Sequence, residues 1–96
     1  MTVLEKEIEH ALVEGVRALG GLCLKWVCPG WAGVPDRIIL LPGGRIVFAE
    51  LKRPGGGVME RQLWWQRRLR GLGFDCRLLK KRADVEALLA DLKYEI

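Results

Sequence analysis

Asp36, Glu50 and Lys52 are the residues whose types and spacing could carry out a reaction. Glu50 and Lys52 share one face of a strand-like run with Ile46 and Phe48, where an acidic side chain has no ordinary place. The run Arg37 to Leu41 precedes it, and Pro42-Gly43-Gly44 between the two is a hairpin turn. With a three-residue loop, Leu41 faces Arg45 and Asp36 falls opposite Glu50, with Cβ atoms roughly 5 Å apart on one face. Two carboxylates that close repel each other unless a cation lies between them. Mg²⁺ or Mn²⁺ is the expected cofactor: hard divalent ions take oxygen ligands, lower the pKa of bound water and neutralise charge on a phosphate. Lys52 would stabilise the developing negative charge or help activate the water.

Two other arrangements use the same letters. A two-residue Gly43-Gly44 turn would put Asp36 opposite Leu51 and separate the carboxylates. Asp36 could also simply start a strand after a turn, with Glu50 and Lys52 a solvated pair at the end of the next. Metal held by thiolate is disfavoured, because Cys23, Cys28 and Cys76 come with a single histidine, His10, where a structural zinc takes four ligands.

The elements that must position these residues can be read from periodicity. Leu4, Ile8, Ala11, Leu12, Val16 and Leu19 recur at helical spacing and stop at Gly20-Gly21. Strands are predicted over Leu22 to Val27, Arg37 to Leu41 and Arg45 to Leu51, followed by a flexible break at Pro54-Gly55-Gly56-Gly57. A helix over Met59 to Leu72, a strand over Phe74 to Leu79 and a last helix begun near Asp84 complete an αβββαβα order. The second and third strands are apolar on both faces, which predicts an α/β fold with the sheet covered on both sides. The 96 residues make a single domain, expected to bury only roughly 60 to 65% of its unfolded surface.

The longest apolar run, Ile38 to Pro42, is too short to span a membrane, and no signal peptide opens the chain, so a soluble protein in the cytoplasm of a bacterium or phage-infected host is expected. Sixteen Lys and Arg against twelve Asp and Glu give a net charge of +4, which favours a polyanionic partner. The excess is uneven: Lys52 to Arg82 holds ten basic residues and two acidic ones, Glu60 and Asp75. Such a run is either a nucleic-acid surface or a plain solvated face.

The sequence Gly33-Val34-Pro35-Asp36, then Phe48-Ala49-Glu50-Leu51-Lys52, then Gln62 in a helix, resembles the virus-type replication-repair nuclease (VRR-NUC) domain. The resemblance covers nearly the whole chain and extends to Glu9, eleven residues before Gly20, and to Gly73. It implies a PD-(D/E)xK, restriction-endonuclease-like αβββαβ core with a mixed sheet, in agreement with the order read from periodicity. It also implies that Asp36, Glu50 and the backbone carbonyl of Leu51 bind metal, and that Lys52 is the catalytic lysine. Glu9 is the expected site residue from the first helix; Glu5, one turn away on the same edge of the apolar stripe, is the alternative.

Gln62 and Gln66 both fall within the apolar arc of the second helix, and buried amides want partners. Gln62 is assigned to the catalytic site, while Gln66 fits equally as a satisfied core amide. Arg61, Arg67 and Arg68 lie on the outer face, suited to phosphate contacts or to solvent. Trp31 could stack on an unpaired base or cap the core, and Lys25 is a further phosphate candidate. Trp64 lies on the same outer face as the arginines, where a partner copy would cover it, so a homodimer is expected.

A symmetric dimer with two sites is matched by a four-way (Holliday) junction, and the stand-alone members of the family suggest DNA repair, recombination or phage replication. The expected function is therefore metal-dependent, structure-selective endonuclease cleavage of branched DNA. A non-catalytic nucleic-acid-binding module on the same fold is the alternative, but phosphate binding needs no clustered carboxylates. A protein-interaction domain would leave all three residues unexplained.

Overall fold

The computed structural model describes residues 3–52 and 55–95. Arg53 and Pro54, which belong to the expected basic run and flexible break, lie outside the described residues. The element order is α1 (Val3–Ala18), β1 (Leu22–Lys25), β2 (Arg37–Leu41), β3 (Arg45–Leu51), α2 (Glu60–Gly71), β4 (Asp75–Leu79) and α3 (Arg82–Glu95). This is the expected α/β order, with the bounds of β2 and β3 as read from the sequence.

The sheet runs β1-β2-β3-β4, with antiparallel pairing from β1 to β3 and β4 parallel to β3. Leu41 faces Arg45 and Arg37 faces Ala49. The connection is thus the three-residue one: Pro42–Gly44 forms a 3-10 turn in which Gly43 and Gly44 take φ of 82° and 79°, a left-handed conformation that glycine adopts without steric cost.

Two apolar layers hold the sheet. On one face Ile8, Leu12 and Val16 of α1 and Val85, Leu88 and Leu92 of α3 bury against Ile39, Leu41, Val47, Ala49 and Leu79. On the other, Leu69 and Trp65 of α2 pack with Phe48, Cys76, Ile38 and Trp26. This second layer is incomplete. Leu22, Leu24, Leu40 and Ile46 carry 58, 46, 36 and 37% of their surface exposed, with Leu22, Leu40 and Ile46 at the end of the sheet away from Asp36 and Leu24 opposite Ile38. The expectation that both faces are covered therefore fails on this face along β1 and at the Leu40 and Ile46 ends of β2 and β3, because one helix is too narrow to roof four strands.

Two boundaries differ by two residues from the sequence reading, and those of α2 and the start of β4 by one. β1 ends at Lys25, after which Trp26 N–H still donates to Asp36 O at 2.8 Å and Val27 turns out to solvent, 79% exposed. α3 begins at Arg82 because Asp84 acts from inside its first turn, its Oδ2 accepting from the Lys80 and Lys81 N–H groups at 2.8 and 3.2 Å. Such a side chain satisfies backbone donors that the helix itself cannot. Among the described residues, no helix is long and apolar enough to cross a membrane.

Candidate active site

The pairing of β2 with β3, continued one residue beyond Arg37 and Ala49, brings Asp36 beside Glu50. The two carboxylates differ in setting. Glu50 is 2% exposed, whereas Asp36 is exposed to solvent. Asp36 is oriented by the backbone, since Leu51 N–H donates to its Oδ2 at 3.1 Å. Glu50 is oriented by α2: Gln62 Nε2 donates to Glu50 Oε1 at 3.2 Å, and Gln62 Oε1 accepts from Met59 N–H at 2.9 Å. The same amide thus closes the first turn of α2 and fixes the carboxylate, and both its ends are satisfied.

Burial and the adjacent Asp36 carboxyl push the Glu50 pKa up to about 8, and Lys52 offsets only part of this. A carboxyl in that state holds a proton near neutrality unless a cation replaces it. Asp36 and Glu50, with the Leu51 carbonyl that the family resemblance implies, would supply hard oxygen donors of the kind that suits Mg²⁺ or Mn²⁺. Among the described residues no cluster of three or more His, Cys, Asp or Glu is arranged as a metal site, so a cation here would rest on the carboxylate pair with backbone oxygen and water. The thiols stand apart from this chemistry: burial raises the pKa of Cys23, and that of Cys76 to about 11.

Asp36, Glu50, Leu51, Lys52, Gln62 and Glu9 all line one cavity of about 470 Å³, together with Lys25 and Glu5. The site residues expected from α1, β2, β3 and α2 are thus brought together. Both candidate glutamates of α1, Glu5 and Glu9, line the cavity. Glu9 does so in a way the sequence did not indicate, since its Oε2 lies 2.7 Å from Arg37 Nη2. Arg37 is 7% exposed and also donates to Cys23 O at 3.3 Å. It shares the inward face of β2 with Ile39 and Leu41, so a charged residue at that alternating position was the signal that an internal partner exists.

The remaining expected residues lie outside the lining of this cavity. Arg61, Arg67 and Arg68 are exposed along α2, while Arg70 is committed to structure, its Nε and Nη2 donating to Cys76 O at 3.0 and 2.7 Å. Gln66 is buried as expected, but its Nε2 has no acceptor among the described residues. Trp31 is 60% exposed and packs edge-on against Trp65 at 5.8 Å rather than capping the core. Trp64 is 49% exposed and also meets Trp65 edge-on, at 5.2 Å.

No family model matches the sequence. The chain is 41% identical over 87 residues to "Putative nuclease p44" of Acyrthosiphon pisum secondary endosymbiont phage 1, a match spanning 91% of this chain and 92% of the relative. A solved structure described as a VRR_NUC domain shares the fold with a TM-score of 0.86 and 29% identity, over 93% of this chain and 97% of the other. Similarity along almost the full length of both chains, in sequence and in fold, makes this chain a member of the virus-type replication-repair nuclease (VRR-NUC) family of PD-(D/E)xK nucleases.

Proposed function

We propose that the protein is a Mg²⁺- or Mn²⁺-dependent DNA endonuclease that cuts branched DNA, four-way junctions above all, as a homodimer. The observation that carries the catalytic reading is the pairing of a buried carboxyl, Glu50, with Asp36 in one cavity that also holds Lys52. Such a pair costs stability in a protein that only binds phosphate, and is useful where a cation must be held. A bound divalent ion would lower the pKa of a water molecule and neutralise charge on the scissile phosphate.

The chain's own groups have separable tasks. Leu51 N–H and Gln62 hold Asp36 and Glu50 in place. Lys52 offers an ammonium to the charge that develops on the phosphate, or to the water that attacks it. Glu9, gripped by Arg37, adds a further carboxylate to the cavity, as does Glu5. Lys25 at its mouth, with Arg61, Arg67 and Arg68 along α2, would contact backbone phosphates without reading sequence.

Support for the dimer shifts from Trp64, which has a ring partner within the chain, to the bare leucine and isoleucine patch on β1, β2 and β3. That patch carries no arginine, so it suits a second copy of the chain better than DNA. Two symmetric sites match the two equivalent strands of a junction. A phage or bacterial chain of this kind would meet such DNA in the host cytoplasm. The test is cleavage of labelled duplex, flap, fork and four-way-junction DNA with Mg²⁺, Mn²⁺ or EDTA, by the wild-type chain and by Glu50→Gln. Cleavage that persists in EDTA, or in Glu50→Gln, contradicts the proposal.

A further inference from the structure

Two large indoles, Trp31 and Trp64, are 60 and 49% exposed outside the cavity that holds Asp36 and Glu50, and nothing in the catalytic reading requires them. Both meet Trp65 nearly perpendicular to its ring, at 81° and 87°. Trp65 itself is held firmly, because its Nε1 donates to Ala32 O at 3.0 Å and its ring packs edge-on against Trp26 at 6.2 Å. The result is a cleft of about 230 Å³ lined by Gly30, Trp31, Ala32, Arg61, Trp64 and Trp65. The loop that carries Trp31 is locked to α2 at Gly33. There φ is 88° and any Cβ would come within 2.8 Å of Arg61 Cβ and 3.0 Å of its backbone.

We propose that this cleft is a nucleobase subsite, which takes one unpaired base of a nucleotide flanking the scissile phosphate between the Trp31 and Trp64 indoles, with Arg61 at its edge. The proposal rests on the nuclease reading of the neighbouring cavity. Its observations are independent of that reading: an aromatic cleft of about 230 Å³ with a fixed floor and a guanidinium beside it. Arg61 lines this cleft, and its neighbour Gln62 holds Glu50, so the subsite and the carboxylate pair flank the same first turn of α2. A strand whose phosphate lies at Asp36 and Glu50 would bring an adjacent base to the cleft.

Charge decides the class of occupant. Trp64 also borders a shallower depression with Arg67 and Arg68, so the aromatic surface continues into a cationic one. That combination suits a stacked base on a polyanionic strand better than an apolar protein face. A base held this way must already be out of the duplex stack. The subsite therefore favours DNA with unpaired or easily unstacked nucleotides beside the cut.

The test uses fork and junction oligonucleotides in which each position flanking the mapped cut is replaced in turn by 5-iododeoxyuridine, or by an abasic residue. The cleavage-inert Glu50→Gln chain is photo-crosslinked to the iodinated set. An adduct at one flanking position, mapped to Trp31 or Trp64 by mass spectrometry, is the expected result. Trp64→Ala and the abasic residue at that position should each weaken binding by about 5- to 150-fold, the loss of one base stacked on an aromatic. The two losses should not add, and Trp64→Phe should recover most of the binding. Wild-type cleavage of the same oligonucleotides reports separately on the nuclease reading. If cleavage is robust but no flanking base crosslinks and the abasic and tryptophan losses are absent or additive, the subsite is overturned and the nuclease stands. If Trp64→Ala alters only the mass of the particle in light scattering, the cleft is a protein contact and the proposal fails. If the wild-type chain neither binds nor cuts DNA, both readings fall.

Discussion

The Glu50 carboxyl, buried beside Asp36, takes up a proton with a pKa near 8, against about 4.5 for an ordinary glutamate. Between those values the folded, metal-free chain holds a proton that the unfolded chain has lost, so its stability must fall as pH rises through that window and level off above it. Glu50→Gln should remove this slope and melt above the wild type in EDTA at pH 8. Mn²⁺ should raise the wild-type Tm there by favouring the ionised pair, and should do little for the variant. Melting curves at several pH values, with and without metal, check both; a wild-type slope shared by Glu50→Gln would contradict the assignment. Lys52→Ala should keep the metal-induced Tm rise while losing turnover, since lysine is not a ligand. Arg37 is a different case, because its side chain is 9% exposed and its partner, the Glu9 carboxylate, is 24% exposed. Arg37→Met should cost about 2 kcal/mol, below the range for breaking a fully buried pair because water reaches Glu9, and so lower Tm by roughly 8–16 °C in a domain of this size. The Asp36 and Glu50 pairing was legible in the sequence because one hairpin loop length aligns them. It was undecided there because a two-residue turn fits the same Pro-Gly-Gly. The alternation of β2 marks Arg37 as inward-facing, but no local pattern identifies its partner, Glu9 of α1, because the two elements are far apart in the chain.

At the scale of elements, the strands and helices followed from apolar spacing, and what spacing does not encode is how loops and caps join them. Asp84 drew attention as the start of α3, but its carboxylate reaches back from within the first turn to the Lys80 and Lys81 N–H groups. Asp84→Ala should therefore cost about 1 kcal/mol, the usual price of a lost cap, and destabilise α3 without touching the cavity; equilibrium denaturation with unchanged metal binding would show it. Gly33 is the more consequential joint. Its left-handed φ and its approach to Arg61 press the loop that carries Trp31 onto α2. Gly33→Ala adds a Cβ where there is no room and demands a conformation that L-residues avoid, so it should lower stability by about 1–3 kcal/mol and shift the first turn of α2. Because Gln62 in that turn holds Glu50, the expected signature is a combined loss of stability and cleavage, which Asp84→Ala would not produce. Trp64 shows the limit of pattern reading at this scale. On a helical wheel it is a surface tryptophan in need of cover, and only the placement of the Trp31 loop and the Trp65 ring reveals that it forms one wall of a cleft.

At the scale of the whole molecule, two surfaces on one face of the sheet differ in character. Arg61, Arg67 and Arg68 lie exposed on α2, while Leu22, Leu24, Leu40 and Ile46 form an apolar area on the uncovered part of the same sheet face. Periodicity foretold that both faces of β2 and β3 are apolar, but the extent of the roof depends on where α2 lies, and a single sequence does not state that. A polyanion engaging the arginines through phosphates releases counterions, so DNA binding should weaken steeply with salt, and removing Arg67 and Arg68 together should flatten the slope by about 2 in a plot of log affinity against log salt. The apolar area has a different use. A patch that meets its own image across a two-fold axis buries every contact twice, and a domain this small gains more from such burial than a large one. Leu22→Lys with Leu40→Lys puts like charges directly opposite each other at the end of the sheet away from Asp36 and Glu50, and should convert a dimer to a monomer while leaving each cavity intact. On a four-way junction the dimer should make paired incisions in opposing strands; the monomer should nick single strands, and the second cut should lose its coupling to the first. Light scattering gives the mass and strand-specific labelling gives the pairing. A wild-type chain that is monomeric at micromolar concentration with and without junction DNA, or a double variant whose incisions remain paired, would rule out this surface as the source of symmetric cleavage.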